Sequence, residues 1–381
     1  MKSYEVAIVG AGAFGLSAAA TLAEAGRGIS AIVVDAGSIS QSALARAAGF
    51  AVPFGRSPSH SELALKAMST FARWRRTWLQ KSITDVHSYL VDDAPRVEWY
   101  ITSNPSVTFK SANASDIRSS MPDLRLRPTD DFVSFEGGIR IDPMQFVHEC
   151  RQYLAAAGVT TSEGTSVRSI SEDRHRWFLS VRTSSNGSQL IAAKNVILAL
   201  GASIAPWHSQ NAAFMRQNPG RRLKAAELSE HLAVKRIAYL TSTMFKAGQP
   251  ALYFPGEGMF FLPDAQHRQT LLSFTRSEWL RKGKSASTEP SETDLQEGRS
   301  QISRRSASLA AKVSDVRVGY DVYSPDGLPR VAILGDAPFG KIVAVTAGSG
   351  SGLRLAPRVA HMALETLNLL GKSTPQDWTG P

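Results

Sequence analysis

The feature that most constrains this chain is the stretch VGAGAFGLSAAATLAEAG, Val9 to Gly26, near the start of its 381 residues. The run YEVAIVG leading into it is short, apolar and ends in a glycine turn, as a buried parallel strand does. Leu16 to Ala25 is rich in Ala and Leu and reads as a helix stopped by Gly26. Ile29 to Val34 reads as the next strand and ends in Asp35. Strand, glycine loop, helix and strand make a βαβ unit, so the chain opens with a piece of parallel sheet. Gly10, Gly12 and Gly15 form GxGxxG. The first glycine permits the tight turn, the second lets a pyrophosphate approach the backbone, and the third lets helix and strand pack closely. The helix N-terminus offers free amide N–H groups and a positive partial charge to phosphates. Asp35 stands 20 residues past Gly15, where a carboxylate can accept both ribose hydroxyls and repel a 2′-phosphate. These residues fit NAD or the ADP half of FAD and disfavour NADP.

Composition narrows the function classes. Hydrophobic residues make up 43% of the chain, an ordinary share for a globular protein, and the length suggests two domains or one large α/β domain with a second lobe. No apolar run reaches the roughly 18–20 residues of a membrane span. Too few residues precede the first strand for a signal peptide, so a cytoplasmic location is expected. The single cysteine, Cys150, excludes an intramolecular disulfide and a cysteine-based metal site, and its spacing in FVHECRQYL fits a buried helix position. His60, His148, His175, His231 and His267 show no metal-site spacing. The net charge of +10 favours anionic partners. Its clusters, such as Arg73, Arg75 and Arg76, or Arg221, Arg222 and Lys224, are short. No basic stripe or stacking-aromatic motif supports a nucleic-acid surface.

Further along, Ser57-Pro58 reads as a helix start, and Leu63, Ala67, Phe71, Trp74 and Trp78 follow at helical spacing as core packing. Asp142-Pro143 starts another helix, to about Ala157. Trp177 to Val181 and Gln189 to Ala193 flank Asn186-Gly187 as a hairpin. Segment 86–141 and the runs Arg236–Thr241, Gly258–Leu262 and Thr270–Phe274 read as strands of another lobe, and Arg281 to Thr293 as a polar surface loop. At the far end, AVTAGSGSGLRLAP is a second glycine loop between a strand and a helix. Backbone N–H groups of Gly348, Ser349, Gly350, Ser351, Gly352 and Leu353 would there stabilise the anionic edge of a reduced flavin ring. Two such loops at opposite ends of one chain suit a long cofactor.

Five places then resemble the D-amino-acid oxidase, glycine oxidase and sarcosine oxidase family of flavoproteins. They are GAGAFG with Asp35; SQSALARAAGF, Ser40 to Phe50; GGIRIDP, Gly137 to Pro143; NVILALGA, Asn195 to Ala202; and DGLPRVAILG with AGSGSGLRLAP. The resemblance implies an α/β fold: a Rossmann-like FAD-binding domain with a second, sheet-rich (α+β) substrate domain. The expected FAD-binding domain is discontinuous, residues 1–85, 142–215 and 315–381, and the substrate domain takes 86–141 and 216–314. It implies FAD contacts at Ala13, Phe14 and Ala36 beside the first loop, at Ser42, Arg46, Ala47, Ala48 and Gly49, and at Val167, Ala199, Gly201 and Ala202. Neither a cysteine near the C-terminus nor an early histidine stands where relatives attach flavin covalently, so non-covalent FAD is expected.

The family implies oxidation of a C–N bond: hydride goes to the flavin, and the imine hydrolyses. The substrate would be an amine or amino acid, and O2 or another acceptor would take the electrons. A related flavin domain oxidises a carboxymethylamine on tRNA, which is the alternative. Arg317, in SDVRVGYD, stands where relatives hold a substrate carboxylate. Phe260 and Phe261, in MFFLPD, stand where relatives carry a hydrogen-bonding tyrosine, which suggests a larger, more apolar or N-substituted substrate. A second arginine of glycine-type relatives is absent from the last loop, where Gly350 or Ser351 stands. Lys235, next to Arg236, is a candidate cation for assisting oxygen reduction.

Overall fold

The glycine loop joins a strand and a helix as its spacing predicts. The computed structural model describes residues 2–26, 28–39, 42–185, 187–203, 232–276, 278–280 and 288–370. Asn186, His231, the Arg221–Arg222–Lys224 cluster and most of the polar loop at 281–293 lie outside these residues. The first strands are β1 (Lys2–Val9), β2 (Ala31–Val34), β3 (Phe50–Ala51), β4 (Ile83–Asp85), β5 (Ser88–Asp93), β6 (Phe109–Ser111), β7 (Asp130–Phe135) and β8 (Ile139–Ile141). Then come β9 (Thr160–Ser162), β10 (Thr165–Asp173), β11 (Arg176–Thr183), β12 (Ser188–Leu198), β13 (Ala233–Ser242), β14 (Ala251–Phe254), β15 (Met259–Asp264) and β16 (Gln269–Phe274). The last three are β17 (Val313–Tyr323), β18 (Arg330–Ala337) and β19 (Gly340–Thr346). The helices are α1 (Ala13–Glu24), α2 (Pro58–Thr77), α3 (Ala94–Ser103), α4 (Ala114–Ser120), α5 (Pro143–Ala156), α6 (Glu292–Ser303), α7 (Ala307–Ala311) and α8 (Gly352–Thr366).

The first sheet holds a parallel core, β9-β2-β1-β12-β19, with β10, β11 and β18 added antiparallel. Apolar residues fill both faces of its central strands, as a parallel sheet requires. One face packs under α1, α2, α5 and α8 through Leu16, Phe71, Trp74, Phe146, Cys150 and Val359, all at most 1% exposed. Trp177 and Leu179 of the antiparallel ribbon cover the other. The expected helix starts are capped by their own residues: Ser57 accepts from the His60 N–H at 3.3 Å, and Asp142 from Met144 and Gln145 at 2.9 Å.

The second sheet runs β17-β13-β16-β15-β14-β5-β7-β6, with one parallel pair, β14 and β5. Alternation gives it two distinct faces. Its outer face carries Leu252, Phe254, Phe261, Leu272, Phe274 and Val318, which meet Ile117, Ile302 and Leu309 of α4, α6 and α7. The sequence reading did not foresee α6, which the Ser291 capping box begins just where the polar loop was expected to continue. The other face looks toward the 48–54 stretch and the first sheet, through Tyr239, Ala251, Leu262 and Leu271 against Ala48 and Phe50. The small sheet β3-β8-β4 ties the two large ones together.

Buried charge clamps the outer helices to this sheet. Asp294 of α6 is fully buried and binds Arg236 of β13 at 2.7 Å, with Arg276 at 3.4 Å and the Ser291 hydroxyl at 2.7 Å. Burial pushes its carboxyl up, but the Arg236 and Ser291 donors outweigh it and hold the carboxyl at about 2. A depressed carboxyl stabilises the fold above its unfolded value of 3.8, and that contribution fades as pH falls toward 2. Asp294→Ala takes from buried Arg236 its close carboxylate partner, leaving Glu278 at 3.6 Å, while Arg276 keeps Glu278 and Glu297, and is expected to cost about 3 kcal/mol. Urea denaturation at pH 7 should show the lowered midpoint, and the gap between wild type and variant should narrow below pH 4.

Candidate functional site

The carboxyl ends of the parallel strands bring the distant glycine segments to one edge. Gly10 follows β1, Asp35 follows β2, Ala199 and Gly201 follow β12, and the 347–353 loop follows β19. Open α/β sheets bind ligands at such an edge. Gly10 has φ +101°, and a Cβ there would overlap the Ala199 carbonyl. A Cβ on Gly15 would overlap the Gly10 carbonyl, whereas one on Gly12 would meet nothing within 4 Å. The first and third glycines thus let backbone meet backbone, and the second leaves open space in front of α1. That helix has no side-chain cap at Gly12 and no acid in its first turn, so its terminal N–H groups are free for an anion. Ala13 and Phe14 form that first turn.

Asp35 accepts from Ala11 N–H at 2.7 Å through one oxygen and from Gly37 N–H at 2.9 Å through the other. Each oxygen keeps a lone pair for a ribose hydroxyl. Ala36 continues the chain beside it, and the Asp35 carbonyl accepts from Thr165, which places Val167 of β10 nearby. Ser42 to Gly49 is a chain of tight turns: the Ser42 hydroxyl accepts from Ala45 N–H at 3.4 Å, and Ala47 N–H donates to Leu44. Arg46 reaches the Val318 carbonyl at 3.5 Å, Ala48 packs against the second sheet, and Gly49 lies against Ile141. Ala202 lies in the short turn Gly201–Ser203. The donor set fits a dinucleotide: open space at Gly12, uncapped amides and a half-satisfied carboxylate.

The last loop is shaped by unusual backbone. Ala347 (φ +62°) and Ser349 (φ +50°) both adopt left-handed conformations, each costing on the order of 1 kcal/mol or more. Ser349 N–H donates to the Val322 carbonyl at 2.9 Å, and Gly350 N–H to Asp321 at 2.6 Å. A Cβ on Gly350 would lie 2.9 Å from the Tyr323 hydroxyl. Ser351 caps α8 without a side-chain bond to its backbone, and no acid stands in the first turn, Gly352 and Leu353 included. A second set of helix amides is therefore open.

Facing this edge is the inner face of the second sheet. Residues opposite each other in a ladder share a face. The register puts Arg317, Tyr239, Ser273, Phe260, Tyr253 and Leu90 in one row, with Asp321 and Lys235 paired four rungs away on the same face. Aromatic rings line it: Phe50 lies 5.3 Å from Phe260 and 6.3 Å from Tyr253, and Phe54 lies 5.4 Å from Tyr100. Phe260 therefore lies on the inner face. Phe261, also nominated by the sequence, belongs to the outer core beside Phe254, 5.3 Å away. Arg317 is half-exposed, bonded to Asp315 at 3.4 Å and to the Tyr239 hydroxyl, which together raise its pKa against burial. The Lys235 ammonium lies over the rings of Trp279 (5.1 Å) and Tyr323 (5.6 Å), with its pKa lowered by burial and then by Arg56. Arg236 faces outward into the Asp294 network.

Two further charges were missed by the sequence reading. Five arginines among the described residues are buried, and four have carboxylate partners: Arg140 with Asp264, Arg236 and Arg276 with Asp294, and Arg305 with Asp130. Arg354 of α8 has none. It donates to the Phe54 carbonyl (3.0 Å), His60 Nε2 (3.1 Å) and Ser351 Oγ (2.6 Å), which leaves two of its five N–H groups without a described acceptor. Because a guanidinium only donates, His60 must be neutral here, and burial with Arg354 and Arg56 lowers its pKa to about 3. Burial also lowers the Arg354 pKa, opposed by the Tyr253 and Tyr100 hydroxyls. The second charge is Asp321, whose oxygens accept from Gly350 and Val322 N–H groups, with no cation in ion-pair contact among the described residues. Burial raises its carboxyl to about 6. The signal for Arg354 was in plain view: an arginine in the apolar run GLRLAP.

Gly12→Ala should leave the fold intact and lower the affinity for the dinucleotide at least about tenfold, or ~1.4 kcal/mol, because the methyl group enters only ligand space. Gly15→Ala should lower thermal stability itself. The ratio of bound cofactor to protein, read beside the melting temperature, checks both.

Known structures share this fold. Glycine oxidase from Geobacillus kaustophilus superposes with a TM-score of 0.76 at 16% identity, covering 100% of this chain and 98% of that one. L-proline dehydrogenase from P. horikoshii gives 0.75 at 14% identity, covering 96% and 93%. L-alpha-glycerophosphate oxidase from Mycoplasma pneumoniae gives 0.75 at 16%, covering 99% and 98%. These likenesses establish the fold. No curated protein sequence matches the chain. No helix among the described residues is long and apolar enough to cross a membrane. The model of the DAO family, FAD dependent oxidoreductase, matches residues 5–366. With its glycine loops, acid and uncapped helix ends all on one sheet edge, the chain belongs to this family of FAD-dependent oxidoreductases, an enzyme whose cofactor is FAD.

Proposed function

We propose that this flavoenzyme oxidises the C–N bond of an amino acid or N-substituted amino acid, a substrate bearing an amine and a carboxylate together. The observation that carries the reading is the pair of uncompensated charges at the last glycine loop. Asp321 is bonded to Gly350 and Arg354 to Ser351, adjacent residues of the chain. A buried charge such as Arg354 is costly without an opposite charge, and a zwitterion would compensate it and meet the half-buried Asp321 at once. Arg354 would hold the carboxylate through its charge and a spare N–H group, Nε–H or the second Nη1–H, since both Nη2 hydrogens are taken by His60 and Ser351. Asp321 would hold the ammonium. Phe260, Phe50, Phe54 and Tyr253 would shield the reacting carbon from water, and leave room for an apolar substituent.

FAD would be held non-covalently by Gly10–Gly15, Asp35, Ser42–Gly49, Val167, Ala199–Ala202 and Gly348–Leu353, and would accept the hydride. The sheet-rich part, 86–141 and 216–314, would act as the substrate domain. Arg317, already paired with Asp315, would sit at the rim, and Lys235 would supply positive charge near the pocket.

Anaerobic mixing with glycine, sarcosine, proline, larger amino acids, their decarboxylated amines, and glycerol phosphate tests this through flavin absorbance. Amino acids of one class should bleach the flavin, and the matching amines without a carboxylate should not. Arg354→Met should weaken that substrate's binding by about 2–5 kcal/mol, roughly 30-fold to several-thousand-fold. Equal bleaching by the decarboxylated amine, or bleaching by glycerol phosphate alone, would overturn the reading.

A further inference from the structure

An ammonium cannot release a hydride from its neighbouring carbon, because its nitrogen has no lone pair to form the C=N bond. The proton must leave first. We propose that Asp321 is the base that takes it: the carboxylate that binds the substrate ammonium also deprotonates it. The proposal rests on the reading of the substrate as an amino acid and assigns a step that reading leaves open.

Three features of the position support it. Asp321 lies on the inner face of β17, and its Oδ2 and Oδ1 accept from Gly350 N–H (2.6 Å) and Val322 N–H (2.8 Å). Each oxygen retains a lone pair, so the backbone fixes the carboxylate without consuming it. The residue also keeps a partly exposed surface, so its carboxylate is within reach of a ligand. Finally, the loop residues nearest it, Gly348 and Gly350, have no side chains to block it: a Cβ on Gly348 would lie 3.1 Å from Oδ1.

The surrounding charges leave Asp321 basic. Lys235, directly across the ladder on β13, is drawn over Trp279 and Tyr323 rather than to the carboxylate. Arg317 on the same strand is held by Asp315. Tyr323, two residues on, is pushed up to about 12 by burial and Asp321, so it stays protonated, and Arg56 acts on it in the opposite sense. The glycine loop and the turn Gly201–Ser203 bring no titratable group. Burial raises the Asp321 carboxyl to about 6, which leaves it ionised at pH 7 and close to the value a general base needs.

The step balances simply. An N–H bond of the ammonium breaks and an O–H bond forms on Asp321. The neutral amine's lone pair then forms the C=N bond as hydride passes from carbon to FAD, and Asp321 returns its proton to water.

The test is the pH dependence of anaerobic flavin bleaching, as rate constant over substrate dissociation constant, from about pH 5.5 to 9.5. Wild type should lose efficiency below an ionisation near 6 and hold a plateau through neutrality. Asp321→Asn, which keeps one acceptor oxygen for the Gly350 N–H, should be slower at pH 7 by at least about 10². It should recover as pH rises to the amine's own pKa, where the substrate arrives neutral. Asp321→Glu should restore part of the plateau. An Asn variant with the wild-type rate and profile would overturn the proposal, as would a loss that is uniform across pH and tracks lost FAD. Wild-type flavin that no amino compound bleaches would overturn the substrate reading as well.

Discussion

The architecture depends on the contact of backbone with backbone at Gly10 and Gly15. The ends of β1 and β12 and the start of α1 can meet only because no Cβ stands between Gly10 and Ala199, or between Gly15 and the Gly10 carbonyl. That contact aims α1 along the sheet and leaves its terminal N–H groups at the open edge. The parallel strands then deliver Asp35, the 199–202 turn and the last glycine loop to the same edge, because parallel strands end together. The second sheet is hung over this edge by the small sheet β3-β8-β4 and by the 48–54 stretch.

Charge is handled in two ways. On the outer side of the second sheet, buried guanidinium groups are matched with buried carboxylates, and the networks around Asp294 and Arg305 fasten helices and turns. On the inner side, Arg354 and Asp321 keep neutral or backbone partners only. Structural charge is satisfied internally, since an unpaired charge destabilises the fold. A binding site can leave that compensation to its ligand. The strained loop between the two charges, with Ala347 and Ser349 in left-handed conformations, is held by the same strand that carries Asp321. Backbone strain and uncompensated charge therefore coincide in one segment.

Much was legible in order along the chain. The first βαβ unit, the caps at Ser57 and Asp142, strands β13, β15 and β16 of the second sheet and the last helix follow from local rules of period, capping and turn chemistry; α3 and α4 inside 86–141 and strand β17 did not. The family followed from short motifs whose spacing has a physical reason. What the chain did not reveal was facing. Phe260 and Phe261 are adjacent and chemically alike, and only the strand register puts one on the inner wall and the other in the core. Arg317 and Asp321 share a face of β17, but which of them meets the glycine loop depends on that strand's crossing with residues 348–351. Arg354 stood out in the sequence as an arginine in the apolar run GLRLAP, but its isolation from carboxylates is a property of the packed interior.

The sequence by itself determined the parallel sheet with its dinucleotide loop, the second glycine loop and the helix termini. These depend on residues close together in the chain, where backbone sterics and side-chain periodicity act directly. The tertiary structure alone decided which charges meet an opposite charge and which keep only neutral or backbone partners. Compensation depends on the distance between groups brought together from opposite ends of the chain.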